Sequence, residues 1–175
     1  MVRDLSHSLG KKIEIEMEGT QTELDRTLME VVRDPLTHII RNAVDHGIDS
    51  KQERLQANKL PEGTIELILT EENDGLTVTL RDDGRGIDPI FLRQRALEKE
   101  LITEAEANAL SDQDAMHLLF RAGFSTAAAV TDISGRGVGM DAVKSMVTEQ
   151  GGHIQIDSVK GRGTTFRLIF TESSA

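Results

Sequence analysis

One helix with two chemically different faces is predicted by residues 34–47, which read DPLTHIIRNAVDHG. Asp34 is a favourable N-cap, Pro35 suits the first helical position, and Gly47 suits a helix end. At about 100° per residue, one side is apolar and holds Leu36, Ile39, Ile40, Ala43 and Val44. The other side holds His38, Arg41, Asn42, Asp45 and His46. Because His, Asn and Asp are poor helix formers but versatile ligands, this face is a candidate site, with an ordinary surface helix as the alternative.

The composition of the chain excludes several classes of protein. With 175 residues, 38% of them hydrophobic, the chain can bury one sizeable core. Cysteine is absent, which excludes disulfides and thiolate metal sites and suggests a reducing cytoplasm. A net charge of −10 and the absence of Trp and Tyr disfavour nucleic acid as a partner. No apolar run approaches the roughly 18 residues of a membrane span, so we expect no membrane insertion.

Strand and helix patterns alternate along the chain. Period-two alternation predicts strands at 12–18, 64–70, 76–81, 153–157 and 164–170. Helical patterns occur at 22–32, 34–46, 88–99, 103–110, 112–120 and 138–150. The segment 47–63 is predicted to be a polar connection and 121–139 a loop rich in small residues. This interleaving indicates an α/β protein.

A second candidate site is the sequence DDGRG at residues 82–86, directly after a predicted strand. The strand end holds Asp82 rigidly, and the glycines allow the backbone to approach a ligand closely. A buried carboxylate only accepts hydrogen bonds, so it suits a ligand that presents an N–H donor, such as the amine of adenine. The alternatives are a simple turn and a divalent-metal loop, although the spaced ligands of a calcium loop are missing.

A third candidate site is the sequence SGRGVGM at residues 134–140, which opens a predicted helix. Glycines at alternate positions expose backbone N–H groups, and the helix N-terminus adds positive potential, so the segment favours phosphate. It has neither the GxxxxGK[ST] pattern of a P-loop nor the GxGxxG register of a dinucleotide fold. A flexible glycine-rich loop is the alternative.

In this order and at these spacings, the three segments resemble boxes of the histidine-kinase, gyrase, HSP90 and MutL superfamily of ATP-binding domains. The N box corresponds to 38–46, the first glycine box to 82–86, the F box to 119–126 (LFRAGFST) and the second glycine box to 135–140. The chain is most similar to chemotaxis histidine kinases of the CheA type. The motifs specific to that group are HIIRNAVDHGI at 38–48, GFST at 123–126 and SGRGVGMD at 134–141. The resemblance covers about residues 2–171.

The resemblance implies an α/β two-layer sandwich, in which a mixed, mainly antiparallel sheet carries helices on one face. This is the Bergerat or histidine-kinase ATPase fold. We expect residues 1–175 to be a single ATP-binding catalytic domain from a longer multidomain chain. Residues 121–136 would form a lid that orders when nucleotide binds.

The resemblance also assigns roles to individual residues. Asn42 would be the Mg²⁺ ligand, and His38 would lie near the terminal phosphate of ATP, with Arg41, Asp45 and His46 nearby. Asp82 would receive the adenine amine, with room for the base at Gly84 and Gly86. The remaining nucleotide-binding residues would be Ile87, Ser125, Thr126, Gly135, Arg136, Gly137, Val138, Gly139, Met140 and Thr164. Arg93 and Arg95 on the following helix would reach the phosphates.

The implied activity is transfer of the γ-phosphoryl group of Mg·ATP to a histidine on a separate phosphotransfer domain of the same or a partner kinase. His7, His117 and His153 lack the context of a phosphoacceptor and are interpreted as structural or surface residues. Dimerisation and receptor-coupling domains, and indirectly a response regulator, would be the further partners. The alternatives are an ATPase of the same superfamily and a non-catalytic nucleotide-binding regulator. The ATPases keep an N-box glutamate, and no Glu occurs between positions 34 and 47.

Overall fold

Five strands form one sheet in the part of the chain that this computed structural model describes, residues 6–19, 26–72, 75–124 and 139–171. They are β1 (Ile13–Glu18), β2 (Gly63–Glu72), β3 (Gly75–Asp82), β4 (Gly152–Val159) and β5 (Gly163–Thr171). The strand order is β1-β2-β3-β5-β4. Strands β1 and β2 are parallel, and the other neighbours are antiparallel. The predicted mixed, mainly antiparallel sheet is therefore confirmed.

Helices connect the strands and cover the sheet. They are α1 (Arg26–Asn42), α2 (Lys51–Gln56), α3 (Pro89–Glu98), α4 (Glu104–Ala109), α5 (Asp112–Met116) and α6 (Met140–Glu149). A π-helical turn (Ala43–Gly47) continues α1, and a 3₁₀ turn (His117–Phe120) continues α5. Helix α6 packs against both α1 and β4. None of the helices in the described ranges combines the length and the apolar character needed to cross a membrane.

The buried face of the sheet carries the core and ends at the candidate site. On β3, every second residue from Leu76 to Asp82 is buried. Their neighbours on β5 include the buried Phe166, Leu168 and Phe170. Because side chains alternate between the two faces of a strand, Asp82 projects on the same face as this apolar row. The fold thus places one carboxyl group at the end of a hydrophobic surface.

Helix α1 passes through Pro35, so the prediction that a helix starts at Asp34 with Pro35 in its first position is wrong. Proline lacks an N–H group and normally interrupts the helical hydrogen-bond series. Here Pro35 and Ile39 are fully buried, and Val32 on the same helix is buried as well. Burial of this apolar face outweighs the local signal for a helix end.

Helix α2 lies in the segment 47–63, for which the sequence pattern predicts only a polar connection. A reciprocal capping box begins it: Glu53 N–H donates to Ser50 Oγ (3.4 Å), and Ser50 N–H donates to Glu53 Oε2 (2.9 Å). Such a cap satisfies two otherwise unpaired donors and stabilises a helix that is too short to persist alone.

Candidate functional site

Asp82 is a buried carboxyl group at the end of β3, with only 4% of its surface exposed. Its Oδ1 accepts a hydrogen bond from Gly84 N–H (2.9 Å), and the carboxylate also accepts one from Thr164 N–H. Burial raises the pKa of Asp82 to about 6, and the neighbouring Asp83 charge adds to the rise. A carboxylate held in this way is a strong acceptor for an additional N–H donor from a ligand.

The hydroxyl groups of Ser158 and Thr164 lie beside Asp82 and join three segments of the chain. Ser158 Oγ accepts from Ile87 N–H (2.9 Å) and donates to Gly163 O (3.0 Å). It also lies 2.9 Å from Thr164 Oγ1. Thr164 pairs with Asp82 across β3 and β5, so the predicted Ile87 and Thr164 are brought to the same place as the carboxyl group. Sequence reasoning missed Ser158, whose only local signal is its position near the end of β4, before the turn at residues 160–162.

Gly47, directly after the predicted N box, is in contact with the first glycine box. Arg85 N–H donates to Gly47 O (2.9 Å) at the end of the π turn. A Cβ atom on Gly84 would lie 2.1 Å from the same oxygen, so this approach is open only to glycine. A Cβ atom on Gly47 would meet Asp82 Oδ2 at 3.5 Å. The end of the N-box helix therefore lies against residues 83–86, which follow Asp82 and are called the Asp82 loop below.

Gly86 closes the other side of this loop. Its φ of +65° is in the left-handed region, and a Cβ atom there would lie 2.1 Å from Val159 O. Arg85 O accepts from Gly161 N–H (2.6 Å), which ties the loop to the β4–β5 turn. Both predicted glycines, Gly84 and Gly86, are thus required by backbone packing.

Asn42 ends α1 and meets the start of α6. Its Nδ2 donates to Met140 Sδ at 3.1 Å, so a residue of the N box touches a residue of the second glycine box. The π turn after Asn42 leaves Asp45 half-buried and His46 exposed. Lys11, which sequence reasoning missed, donates to Val44 O (2.7 Å) and Asp45 O (2.8 Å) and so caps the end of the turn.

His38 and Arg41 lie one helical turn apart on the half-buried polar face of α1. Burial, and then the charge of Arg41, lower the pKa of His38 below its ordinary value. Arg41 Nε is buried and has no hydrogen-bond partner among the described residues. A neutral imidazole beside an unsatisfied guanidinium donor fits an anionic ligand, because the ligand would supply the missing acceptor.

Gly139 and Met140 are the only members of the predicted second glycine box that the structure describes. Gly139 is the N-cap of α6 and, being glycine, provides no side chain to cap the first N–H groups of the helix. Met140 is buried against the core. The predicted Ser125, Thr126, Gly135, Arg136, Gly137 and Val138, together with most of the expected lid at 121–136, lie outside the described residues.

Two further cations that we expected at the phosphates are engaged elsewhere. Arg93 Nη2 contacts Asp112 Oδ1 (2.7 Å) and donates to Leu110 O (2.9 Å). Arg95 Nη1 contacts Glu98 Oε2 (3.1 Å) on its own helix. The Arg93 contacts tie α3 to the neighbouring helix α5, although Arg93 Nε is buried without a hydrogen-bond partner among the described residues.

The described residues contain no cluster of three or more His, Asp or Glu side chains that could enclose a metal ion. Mg²⁺ does not usually need such a cluster, because it keeps several waters and bridges substrate phosphates. An amide oxygen such as that of Asn42 is a suitable ligand for such a hard cation.

Known proteins match the sequence of this chain over nearly its whole length. The chain is 48% identical over 168 residues to the sensor histidine kinase CheAY of Helicobacter pylori, and 45% identical over 168 residues to the chemotaxis protein CheA of Rhizobium meliloti. Each match covers 96% of this chain but only 21% and 22% of the relatives, so the chain spans about a fifth of their length.

The fold agrees with that of a solved structure. The histidine kinase domain of a blue-light activated histidine kinase from Erythrobacter litoralis matches with a TM-score of 0.54 at 15% identity, covering 97% of this chain and 60% of that chain. The sequence also matches the family described as histidine kinase-, DNA gyrase B- and HSP90-like ATPase over residues 31–174. That range includes the N box and both glycine boxes. The chain therefore belongs to the histidine kinase-, DNA gyrase B- and HSP90-like ATPase family.

Proposed function

We propose that this chain binds Mg·ATP and transfers its γ-phosphoryl group to a histidine on a separate phosphotransfer domain, as part of chemotaxis-type two-component signalling. The family match supports nucleotide binding, and the relatives named as a sensor histidine kinase and as a chemotaxis protein support the kinase activity and the pathway. The absence of cysteine supports a cytoplasmic location.

The buried Asp82 is the observation that carries the proposal. A carboxyl group with 4% exposure and a pKa raised to about 6 is poorly compensated by its two N–H partners. An exocyclic amine would supply a further donor and favour the charged form. Thr164 pairs with Asp82, and Ile87 is bound to the adjacent Ser158, so both would complete the surroundings of an adenine base.

The phosphate end of the site would be formed by α1, its π turn and the start of α6. Arg41 would supply an unsatisfied N–H donor, and the N-terminus of α6 would supply backbone donors and positive potential. Asn42 would hold Mg²⁺ through its amide oxygen, and His38, Asp45 and His46 would complete the polar face. Bound Mg²⁺ would neutralise charge on the phosphate oxygens.

The protein's own contribution to phosphoryl transfer would be alignment and electrostatic stabilisation. The transition state of such a transfer is loose, so correctly placed donors contribute more than covalent chemistry does. A bond forms between phosphorus and an imidazole nitrogen of the acceptor, while the bond from phosphorus to the bridging β–γ oxygen breaks. His38 is half-buried with a lowered pKa, so at neutral pH it would act as a neutral, hydrogen-bonding imidazole.

The partners of the chain belong to the same proposal. We expect a histidine phosphotransfer domain as the immediate substrate, dimerisation and receptor-coupling domains elsewhere in the parent chain, and a response regulator further downstream. His7, His117 and His153 are all exposed in the structure, and none lies in the site described above.

The decisive experiment combines the chain with γ-labelled ATP, Mg²⁺ and the isolated phosphotransfer domain of a CheA-type relative. Label should appear on that domain in an acid-labile, alkali-stable form, as expected for phosphohistidine. The same domain with its acceptor histidine replaced by glutamine is the control. Release of labelled phosphate with no labelled domain would instead favour the superfamily ATPase, and no turnover at all would favour a non-catalytic regulator.

A further inference from the structure

Arg54 is a buried charge that the site described above does not use. It lies in α2, with 1% of its surface exposed. Its guanidinium binds Asp83 in a bidentate manner, from Nη2 to Oδ2 (2.7 Å) and from Nη1 to Oδ1 (3.1 Å). Its other bonds go to Leu60 O, Glu62 O and Asp83 O. Burying a charge is unfavourable unless all of its hydrogen-bond donors have acceptors. The donors of Arg54 all have acceptors, so we expect this residue to have a specific structural role.

A second cation binds the same short segment. Lys59 Nζ donates to Asp83 O (2.9 Å) and to Gly84 O (2.6 Å). The Asp83 carboxylate is held in addition by Thr64 N–H (2.9 Å). Two cations from residues 54–59 and one strand therefore fix the two residues that follow Asp82.

The peptide group between Asp83 and Gly84 connects these cations to Asp82. Its carbonyl oxygen, Asp83 O, accepts from Arg54 Nη1 (3.2 Å) and Lys59 Nζ (2.9 Å). Its N–H group, that of Gly84, donates to Asp82 Oδ1 (2.9 Å). Because a peptide group is planar, holding its oxygen also sets the direction of its N–H bond. Cations at the oxygen also polarise the group and strengthen the bond that it donates.

Helix α2 is attached to the loop at its beginning as well. Asp49, just before the capping box, forms an ion pair with Arg85 (2.8 Å). The capping box at Ser50 and Glu53 orders the first turn, which leads directly to Arg54. The segment from Asp49 to Lys59 thus contacts three consecutive residues of the loop, 83–85.

We infer that Arg54 and Lys59 are positioning residues for recognition of the nucleobase: they hold the Asp83–Gly84 peptide group, which directs the Asp82 carboxylate toward the exocyclic amine. The inference rests on the proposed function, in which Asp82 accepts that amine. Neither cation touches the nucleotide in this arrangement. Their effect is on the preference of the site for a base that carries the amine.

The test compares ATP with purine riboside triphosphate, which lacks only the exocyclic amine. Both compete with a fluorescent nucleotide for the chain in the presence of Mg²⁺. A charge-assisted hydrogen bond corresponds to a preference for ATP of about tenfold to a hundredfold in the unchanged chain. Lys59→Met and Arg54→Lys should each reduce this ratio to within about threefold of one. Lys12→Met, at an exposed pair with Glu62, is the matched control and should keep the full ratio.

The ratio separates positioning from simple support of the fold, since general destabilisation weakens both ligands equally and leaves the ratio unchanged. An unchanged ratio in Lys59→Met would overturn the inference, even if Arg54→Lys failed to fold. Asp82→Asn shows whether a negative result contradicts the positioning inference alone or the proposed adenine contact as well. If it loses the preference while Lys59→Met keeps it, only the positioning inference fails. If Asp82→Asn itself keeps the preference, the proposed adenine contact fails as well.

Discussion

Asp82 is the side chain in which burial and charge conflict most clearly. It is almost fully buried and has a pKa raised to about 6, because removal from water disfavours its charge. Two backbone donors and the nearby Lys59 act in the opposite direction without restoring the ordinary value. Strongly shifted carboxyl groups of this kind are typical of binding and catalytic sites.

Replacement of Asp82 by Asn should remove most nucleotide affinity. The amide would direct a donor at the adenine amine in place of an acceptor, at a loss of about 2–3 kcal/mol. Titration with a fluorescent nucleotide measures the change, because the chain has no Trp or Tyr to report binding. Asp112→Asn, at an exposed ion pair on α5, is the control. Unchanged affinity in a folded Asp82→Asn variant would remove this residue from the site.

Two residues of the N box should separate binding from chemistry. Asn42→Ala should weaken Mg²⁺-dependent nucleotide binding by about tenfold, with little effect when Mg²⁺ is chelated. His38→Ala should lower the rate of phosphoryl transfer by about a hundredfold and affinity much less, the pattern of an interaction that strengthens in the transition state. Single-turnover transfer and nucleotide titration measure the two effects. His153→Ala, at an exposed position of β4, is the matched control, and an equal loss of rate and affinity in His38→Ala would contradict the assignment.

Among the helices and strands, the contact between the π turn and the Asp82 loop joins the two ends of the site. Ile48 N–H donates to Ala43 O (2.7 Å), the five-residue spacing of a π turn. Such turns re-aim the residues around them and occur frequently at functional sites. Here the turn directs Gly47 O at Arg85 N–H, so the end of the N-box helix and the Asp82 loop form one unit.

A pair of alanine substitutions tests this contact. In Gly84→Ala the new Cβ would lie 2.1 Å from Gly47 O, a backbone atom that cannot rotate away. We expect a loss of about 1–3 kcal/mol in the free energy of unfolding and weaker nucleotide binding. In Gly47→Ala the nearest atom is 3.5 Å away, and stability should change by less than about 1 kcal/mol. Urea unfolding followed by far-UV circular dichroism measures both, and equal losses would contradict the close approach.

For the folded chain as a whole, the Asp82 charge destabilises the nucleotide-free state. The folded pKa of about 6 lies above the ordinary value of 3.8, so the folded state binds the proton more tightly than the unfolded state does. The extra stability that protonated Asp82 gives the folded state is therefore fully present below about pH 4. It is lost as the pH rises through about 6. Above pH 6 the loss is constant at about 3 kcal/mol.

Asp82→Asn should show this linkage directly. The melting temperature of the nucleotide-free variant, relative to the unchanged chain, should rise between about pH 4 and pH 6 and then level off. The pH slope is the measurement, because it is insensitive to the constant effect of exchanging an oxygen for an amide. A difference that stays the same from pH 4 to pH 8 would show that Asp82 titrates normally. Glu66→Gln, on a half-exposed carboxylate of β2, is the control.

Local patterns in the sequence were sufficient for much of the fold. The ends of all five strands and of the helices from residue 88 onward were predicted to within a few residues. Period-two and helical patterns depend only on residues that are close together in the sequence. The placement of Asp82 at a strand end followed from the same alternation. The family was also recognisable from short motifs, since their glycines and polar residues keep a fixed order and spacing.

Tertiary structure decided the features that depend on residues far apart in the chain. The passage of α1 through Pro35 depends on burial against the core, which outweighs the local preference. The contacts of Lys11 with the π turn, of Arg54 with Asp83 and of Ser158 with Ile87 join positions that are 29–71 residues apart. Local periodicity does not predict such pairs, because the neighbouring sequence does not distinguish these side chains from ordinary surface cations or hydroxyls. The sequence alone determined which chemical groups were available, and the packing of the sheet against its helices determined which of them meet.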